Sequence, residues 1–427
     1  MAKTHSTSAG SDEEKASHIA HPPEFDISTD KAPEGGREAW LVSLGGASIF
    51  FCCLGFANAY GVFQEYYMTH QLRNYSPDAV AWIGSIASFM QFGGGAIGGP
   101  LFDRYGAWTM RPAAIAYLFG MMMLSLCTKY WHFMLVQGVL MGTSMGILQF
   151  PTLAAVSQYF DKKRAAAIGI VISGSSIGGI VIPIIINKML NGSSLGFGWS
   201  IRIMGFAILP LIVFSCFTVK ARLPPRSSAF FIWAAFKSPT YILLITALFF
   251  MFIGMFTPLF FLPTYAVSRG MSVTLASYLL AILNASSTFG RIIPGVLADK
   301  YGKLNMFAAG GISCGITILC MNAARSTAGL VVYAIVFGFT SGMIISGGSA
   351  AFSICVQDPR DLGTYMGQGL AVGSLAALIG PPVNGVLEKK YGGFLQVSIF
   401  SGVFCVVGGV IALLSKMARP QGLFGKV

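Results

Sequence analysis

Arg291 lies deep inside a long apolar stretch, SYLLAILNASSTFGRIIPGVLADKYG, where no other lysine, arginine, aspartate or glutamate reaches a comparable depth. A charge at the centre of a membrane helix costs about 2.5 to 3.5 kcal/mol on insertion scales, so such residues usually have a function. A guanidinium can donate two parallel hydrogen bonds to a carboxylate. We therefore predict that Arg291 contacts an acidic group of a bound molecule. The alternative is a structural arginine that is bonded to helix carbonyls or extends to the membrane surface.

Further polar side chains lie within the apolar stretches. An unsatisfied polar group in hydrocarbon is costly unless it faces protein or a wet cavity. We predict that these residues line a binding cavity together with Arg291, and ordinary interhelical hydrogen bonding is the alternative for each. They are Asn58, Tyr60, Gln149, Asn284 and Gln368.

Catalytic and metal chemistry have little support in the sequence. The 8 cysteines and 5 histidines have neither disulfide nor zinc-site spacing. No G-x-x-x-x-G-K-[ST] loop is present, which argues against ATP-driven transport. No nucleophile and base pair falls at membrane depth. We predict no metal, no cofactor and no enzymatic activity.

The elements that carry these residues are predicted to be membrane-spanning helices. Hydrophobic residues make up 54% of the chain, charged residues 10%, and the mean hydropathy is +0.69. A spanning helix needs about 20 apolar residues. Twelve stretches qualify: Trp40–Val62, Val80–Phe102, Met110–Cys127, His132–Val156, Arg164–Ile186, Trp199–Val219, Tyr241–Tyr265, Val273–Ala298, Leu304–Ala323, Ala328–Ala350, Leu362–Leu387 and Phe394–Ser415. The predicted fold is an all-α integral membrane protein.

The ends of the chain and one internal segment are predicted to lie outside the membrane. The first 38 residues are acidic, rich in Ser, Thr and Pro, and lack an apolar core, which is typical of a disordered tail. A basic, proline-containing segment divides the spans into two groups of six. The predicted organisation is a tail at 1–38, a first half at 39–219, a linker at 220–239, a second half at 240–416 and a tail at 417–427.

Lysine and arginine counts predict the orientation. If the amino terminus is cytoplasmic, 19 of the 28 lysines and arginines face that side, 8 face the opposite side, and Arg291 is within a span. The positive-inside rule then places both termini in the cytoplasm, and we expect the plasma membrane as the location. Topology accounts for the net charge of +12, so nucleic acid is not expected as a partner. Asn74 and Asn191 are in N-x-S sequons on the predicted outer face, where glycosylation can occur.

Similar residues recur at a constant offset of 196. The sequence GPLFDRYG at the end of the second span resembles GVLADKYG at the end of the eighth. The pairs at this offset are Asp103 with Asp299, Arg164 with Arg360, Gly142 with Gly338, and Gly146 with Gly342. The repeat predicts two homologous six-helix halves.

These motifs resemble those of the major facilitator superfamily, whose hallmark is G-x-x-x-D-[RK]-x-G after the second span. The first copy here comprises Gly99, Asp103, Arg104 and Gly106, and the weaker second copy comprises Gly295, Asp299, Lys300 and Gly302. Over residues 34 to 417 the chain also resembles fungal members of the monocarboxylate porter family. That resemblance rests on Glu34, Gly35, Gly36 and Trp40, and on Tyr159, Phe160, Lys162, Lys163, Arg164, Gly169 and Gly174.

The resemblance implies transport by alternating access, in which two halves rock around a central site. Glycine-rich segments in the second and fifth spans would let helices approach closely. We predict a gate in which Asp103 pairs with Arg360 and Asp299 with Arg164, beside Arg104. A solvated turn without gating energy is the alternative, because exposed ion pairs contribute only about 0 to 1 kcal/mol.

Two departures from the porter pattern affect the predicted cargo. Many animal relatives carry an aspartate one turn before the arginine of the eighth helix, where this chain has Ser287, and a lysine in the first helix, where it has Asn58. Both proton-sensitive partners are missing, so lactate-type proton symport is in doubt. A bulkier or less acidic cargo that moves outward becomes more plausible.

We therefore predict a monomeric secondary transporter of a small organic, carboxylate-bearing molecule, which exports a fungal secondary metabolite. Its expected partners are the cargo, the lipid bilayer and, as a candidate driving ion, H⁺. Import of a monocarboxylate or vitamin-like nutrient is the alternative within the class. A non-transporting receptor or sensor is the alternative from another class, although that function typically needs a long signalling extension.

Overall fold

The computed structural model describes residue 2 and residues 32–75, 77–224 and 230–418. The predicted tails therefore lie outside the described residues, except for residues 2, 32–38 and 417–418. The described chain is helical, with twelve apolar helices. They are α1 (Gly36–Thr69), α2 (Pro77–Gly93 and Gly95–Tyr105), α3 (Met110–Leu124), α4 (Tyr130–Tyr159), α5 (Arg164–Asn191), α6 (Gly196–Thr218), α7 (Pro239–Ser268), α8 (Val273–Tyr301), α9 (Lys303–Leu319), α10 (Thr327–Cys355), α11 (Leu362–Tyr391) and α12 (Leu395–Met417).

The helical stretch Ala79–Leu124 crosses the membrane twice. Judged by length and composition, the described residues contain 11 helical stretches that could span a membrane, and this one has 46 residues. A helix of that length would be about 69 Å long, roughly twice the hydrocarbon thickness. The stretch turns at Gly106–Thr109, where Gly106 has a left-handed φ of +68°. Each of the twelve predicted spans therefore coincides with a helix.

Several helices are interrupted along their length. The first helix breaks at Ala59, and α2 breaks at Gly94. Within α4, residues Met134–Met141 form a π-helical stretch. Such stretches are frequent at functional sites because they redirect the side chains on either side.

The two predicted halves meet along two pairs of helices. In the first half α1 packs on α5, and in the second half α7 packs on α12 and α8 on α10. Between the halves, α5 packs on α8 and α2 packs on α11. These contacts are extensive, so the described residues from Pro33 onward form one compact unit. The division into halves remains a prediction from the repeat.

The predicted tail at 1–38 extends too far toward the first helix. Residues 36–38 already belong to α1, and the Glu34 carboxylate is hydrogen-bonded to the turn before α5. Hydropathy misses this start because the first turn of the helix is polar and its partner lies more than 100 residues away.

The number of helices places the beginning of α1 and the end of α12 at the same end of the molecule, which we call the inner end. Asn74 and Asn191 are both exposed and lie at the opposite end, after α1 and at the end of α5. Their glycosylation remains a prediction. Which end faces the cytoplasm rests on the lysine and arginine count alone.

Candidate functional site

A cavity lies at the centre of the molecule, between the two halves. Its empty volume is about 470 Å³, including its opening. Seven helices contribute to its lining: α1, α2, α4 and α5 from the first half, and α7, α10 and α11 from the second. The lining residues are Phe50, Leu54, Phe92, Gln149, Phe150, Leu153, Ile172, Leu248, Phe252, Ile344, Ile345, Gly348, Ser349 and Leu370.

The lining is apolar and aromatic. Phe92 of α2 meets Phe252 of α7 edge to face across the two halves, with ring centroids 5.7 Å apart. No lysine, arginine, histidine, aspartate or glutamate is among the lining residues. Such a surface suits an apolar or aromatic molecule, since aromatic pairs favour offset and edge-to-face contacts.

Gln149 is the predicted site residue that this cavity contains. Its side chain is 2% exposed, and its amide nitrogen Nε2 has no hydrogen-bond partner. The other polar side chain in the lining is Ser349, whose hydroxyl donates to Ile345 O in its own helix. Gln149 is thus a buried donor at the cavity wall that a bound molecule could satisfy.

Tyr60 lies in a second cavity toward the outer end. This cavity is lined by Phe56, Ala57, Tyr60, Gly84, Ala87, Ser88, Gln137, Met145 and Phe260. The Tyr60 hydroxyl donates to Val80 O at the start of α2, so it ties α1 to α2. Tyr60 therefore makes the interhelical hydrogen bond that was the alternative to a binding role, although Tyr60 also lines this cavity.

The remaining amides lie outside both cavities. Asn284 of α8 donates to Leu280 O in its own helix, while Asn58 of α1 is exposed. Both amides lie within contact distance of the space where a Cβ on Gly179 of α5 would be. Gln368 of α11 is 3% exposed, with both amide atoms unpartnered. The structure therefore does not bring the predicted set together in one pocket.

Arg291 is bonded between the halves and does not line the cavity. Its side chain is buried, and Nη1 donates to Ile172 O at 2.9 Å and to the Ser175 hydroxyl, both on α5. Its Nε has no partner. The predicted contact with a bound anion stays a prediction: Nη1 is bonded to acceptors of α5, Nε remains unpaired, and Arg291 is not among the residues that line the cavity. Ile172, its backbone partner, lies in the cavity lining.

The two repeated aspartates bind the amino-terminal turns of helices in the opposite half. Asp103 Oδ2 accepts hydrogen bonds from the backbone N–H of Thr364 at 2.6 Å and from its hydroxyl at 2.7 Å. The two carboxylate oxygens of Asp299 accept from the N–H groups of Ala165 and Ala166 at 3.0 and 2.9 Å. A helix amino terminus offers unpaired N–H donors and a favourable dipole to a carboxylate.

The predicted ion pairs Asp103–Arg360 and Asp299–Arg164 are not formed. Arg164 pairs with Asp161 at 3.1 Å, and Arg360 pairs with Asp358 at 2.8 Å. These acids lie two or three residues away along the chain, so the arginines reach them without crossing the interface. The remaining predicted gate residue, Arg104, is exposed and lies over the ring of its neighbour Tyr105.

Glycines permit the close contact of α2 with α11 beside Asp103. A Cβ on Gly99 would lie 2.0 Å from Gly363 O, and a Cβ on Gly367 would lie 2.0 Å from Gly95 O. No side chain fits at that separation. Any substitution at these two glycines would force the inner ends of the two helices apart.

Glu34 joins the amino-terminal segment to the turn before α5. Its carboxylate accepts from the backbone N–H groups of Asp161, Lys162 and Lys163 at 2.8, 2.6 and 3.1 Å. Its φ of +56° lies in the left-handed region, which non-glycine residues rarely adopt. Partial burial acts to raise the pKa of Glu34, but the three amide bonds outweigh it and the pKa is lowered. The contact is therefore complete at neutral pH and is lost only under acidic conditions.

Sequence reasoning missed the aromatic side chains of the central cavity. Aromatic residues are also common in interface belts and lipid-facing packing, so the 34 phenylalanines did not by themselves indicate which ones line a cavity. The 196-residue offset carried a usable signal, because Gln149 of α4 is matched by Ile345 of α10, and Leu153 by Ser349. All four residues line the cavity. The same offset, applied to all residues of α4, predicts that α4 and α10 occupy equivalent positions beside the cavity.

Within the described residues, twelve apolar helices, a central cavity lined by helices from both parts of the chain and reciprocal contacts at one end are the features of a secondary transporter of the alternating-access type. The chain belongs to the Major Facilitator Superfamily, whose sequence profile matches residues 46–367 and 292–425. It is thus a multi-pass membrane transporter of small molecules and not an enzyme.

Two fungal proteins are similar along most of the chain. The aspyridones efflux protein apdF of Emericella nidulans is 49% identical over 408 residues, which cover 96% of this chain and 83% of that protein. The Fujikurins efflux protein of Gibberella fujikuroi is 39% identical over 402 residues, which cover 91% of this chain and 84% of that protein.

Among solved structures, the human organic anion transporter MFSD10 (TETRAN) superposes with a TM-score of 0.66. The match covers 89% of this chain and 99% of that one at 15% identity. At that identity the similarity concerns the fold alone.

Proposed function

We propose that the chain exports an apolar, aromatic secondary metabolite from a fungal cell by alternating access of its two halves. The observation that carries the proposal is the uncharged aromatic cavity, which both halves line at the centre of the molecule. The direction is supported by the two relatives named for efflux. Because the cavity lining has no cation, a free carboxylate is no longer the favoured recognition group of the cargo.

The proposed cycle depends on the contacts at the inner end. Asp103 of α2 is hydrogen-bonded to the start of α11, and Asp299 of α8 is hydrogen-bonded to the start of α5. These bonds hold the inner ends of both helix pairs together. Separation of these contacts would open the cavity toward the inner side, and their formation would close it. Arg291 would act in the same way, as a latch that joins α8 to α5 through Ile172 O and Ser175.

The proposed orientation, membrane and family of the protein rest mainly on its sequence. Lysine and arginine distribution supports cytoplasmic termini, and export of a metabolite supports the plasma membrane. Membership of the monocarboxylate porter family is supported by contacts between its two signatures: Glu34 binds the turn at residues 161–163, and Trp40 packs edge to face on Phe160 with ring centroids 5.4 Å apart.

Transport into membrane vesicles of defined orientation tests the direction of export. Inside-out plasma-membrane vesicles that contain the chain are offered aspyridones or fujikurins, with and without an imposed pH gradient. We expect accumulation in inside-out vesicles above that in vesicles without the chain, and a stimulation by the gradient if H⁺ drives transport.

Right-side-out vesicles from the same cells provide the matched comparison. Accumulation confined to them would contradict export and establish import. Failure of both vesicle types to accumulate either compound above background would contradict the proposed cargo class.

A further inference from the structure

The lining of the central cavity contains one buried amide donor, Gln149 Nε2, that makes no hydrogen bond of good geometry, and the side-chain neighbour it could donate to is the thiol of Cys53 on α1, a weak acceptor. Gln149 Nε2 is fully enclosed, whereas the Ser349 hydroxyl in the same lining is already bonded to its own helix. An unpaired buried donor is destabilising, and a bound acceptor removes that penalty. The remaining lining consists of phenylalanine, aliphatic side chains and Gly348.

This combination restricts the chemistry of a ligand. The neutral amide N–H donates to a carbonyl or other neutral oxygen, and it cannot compensate the desolvation of a full negative charge. The phenylalanines Phe50, Phe92, Phe150 and Phe252 would contact the faces and edges of a planar ring system. Arg291, the residue that could neutralise an anion, is bonded to α5 outside the lining.

We propose that Gln149 is the specificity-determining residue of the cavity, and that it selects an uncharged, planar aromatic ligand with a carbonyl oxygen that accepts from Nε2. This proposal rests on the proposed function, because it assumes that the central cavity is the cargo site. It further states which part of the cargo is recognised and in which charge state.

Binding of three compounds with one carbon skeleton tests the proposal on the purified full-length protein. The probes are 9-fluorenone, which has the carbonyl; fluorene, which lacks it; and fluorene-9-carboxylate, which carries a charge. We expect the wild-type protein to bind fluorenone about ten-fold more tightly than fluorene, the difference of one satisfied donor, and the carboxylate most weakly.

The variant Gln149→Leu should bind fluorenone and fluorene equally, because it keeps the side-chain bulk but lacks the donor. The matched control is Gln91→Leu. Gln91 of α2 is also 2% exposed with an unpartnered Nε2, but it is not in the cavity lining. The control should keep the ten-fold preference. Thermal unfolding of both variants shows whether each one folds.

Equal binding of fluorenone and fluorene by the wild type, an unchanged preference in Gln149→Leu, an equal loss in Gln91→Leu, or preferential binding of the carboxylate would each overturn the proposal. If Gln149→Leu does not fold, Gln149→Met replaces it, and it must also lose the preference because a thioether of similar length has no hydrogen-bond donor. The vesicle experiment is independent, since export of aspyridones can hold while the selectivity assigned to Gln149 fails.

Discussion

Replacing Arg291 with alanine is expected to lower the transport rate about ten-fold or more, while the equilibrium affinity for cargo stays nearly constant. In the structure Nη1 donates to Ile172 O and to Ser175 on α5. Each hydrogen bond to a charged donor contributes about 1.5 to 3 kcal/mol. Removal of the buried guanidinium also removes its desolvation cost, which offsets part of this loss. The net loss of about one such bond corresponds to roughly ten-fold in the equilibrium between the two conformations.

The measurement compares initial transport rates in vesicles with cargo binding by the purified protein. Ser175→Ala is the matched control, since it removes one acceptor and keeps the bond to Ile172 O; we expect a smaller reduction of the rate. A selective loss of affinity for an anionic compound in Arg291→Ala, without a change in transport of neutral compounds, would contradict the latch. That result would restore Arg291 as a cargo contact.

Replacing Asp103 with asparagine is expected to shift the conformational equilibrium toward opening of the inner end by about ten-fold, as is Asp299→Asn. Each carboxylate accepts two hydrogen bonds from the first turn of a helix in the other half. An amide of the same size has no negative charge to interact with the helix dipole, and one of its polar atoms is a donor. The double variant should shift the equilibrium further because the two contacts lie on different helix pairs.

Spin labels at the inner ends of α2 and α11 measure this opening as a distance. Trp108→Cys and Gln357→Cys are suitable positions because both residues are exposed, with the 8 native cysteines replaced beforehand. Asp358→Asn is the matched control: it removes the pair with Arg360 in the same turn, and we expect little change. A larger distance in the control than in Asp103→Asn would show that the arginine pair, and not the helix terminus, holds the gate.

The fold could be predicted well from the sequence because hydropathy reports directly on membrane spans. The repeat placed Asp103 and Asp299 at equivalent positions, and the dipole of the eleventh helix was a foreseeable partner for a carboxylate. Their pairing with Arg360 and Arg164 was not formed because both arginines have nearer acids, a local preference that spacing alone did not reveal.

The candidate site was harder to predict because it depends on the tilt and rotation of helices that are distant in sequence. Hydropathy does not determine which face of a span meets a neighbour. Arg291 was identified as unusual, but its acceptors on α5 lie more than 100 residues away. The partner of Glu34 is equally remote. Gln149 was among the predicted site residues. The phenylalanines around it were not predicted, because they come from several helices of both halves that are distant in sequence.

The most direct test of alternating access around the central cavity is the accessibility of Ser349→Cys to a membrane-impermeant thiol reagent from each side. Ser349 lies in the cavity lining, and the inner contacts are closed in the structure. With those contacts intact, we expect labelling from the outer side only. In the Asp103→Asn, Asp299→Asn double variant we expect labelling from the cytoplasmic side, and bound cargo should slow the reaction in both. Labelling from both sides of one conformation, or from the same side in both proteins, would contradict the account.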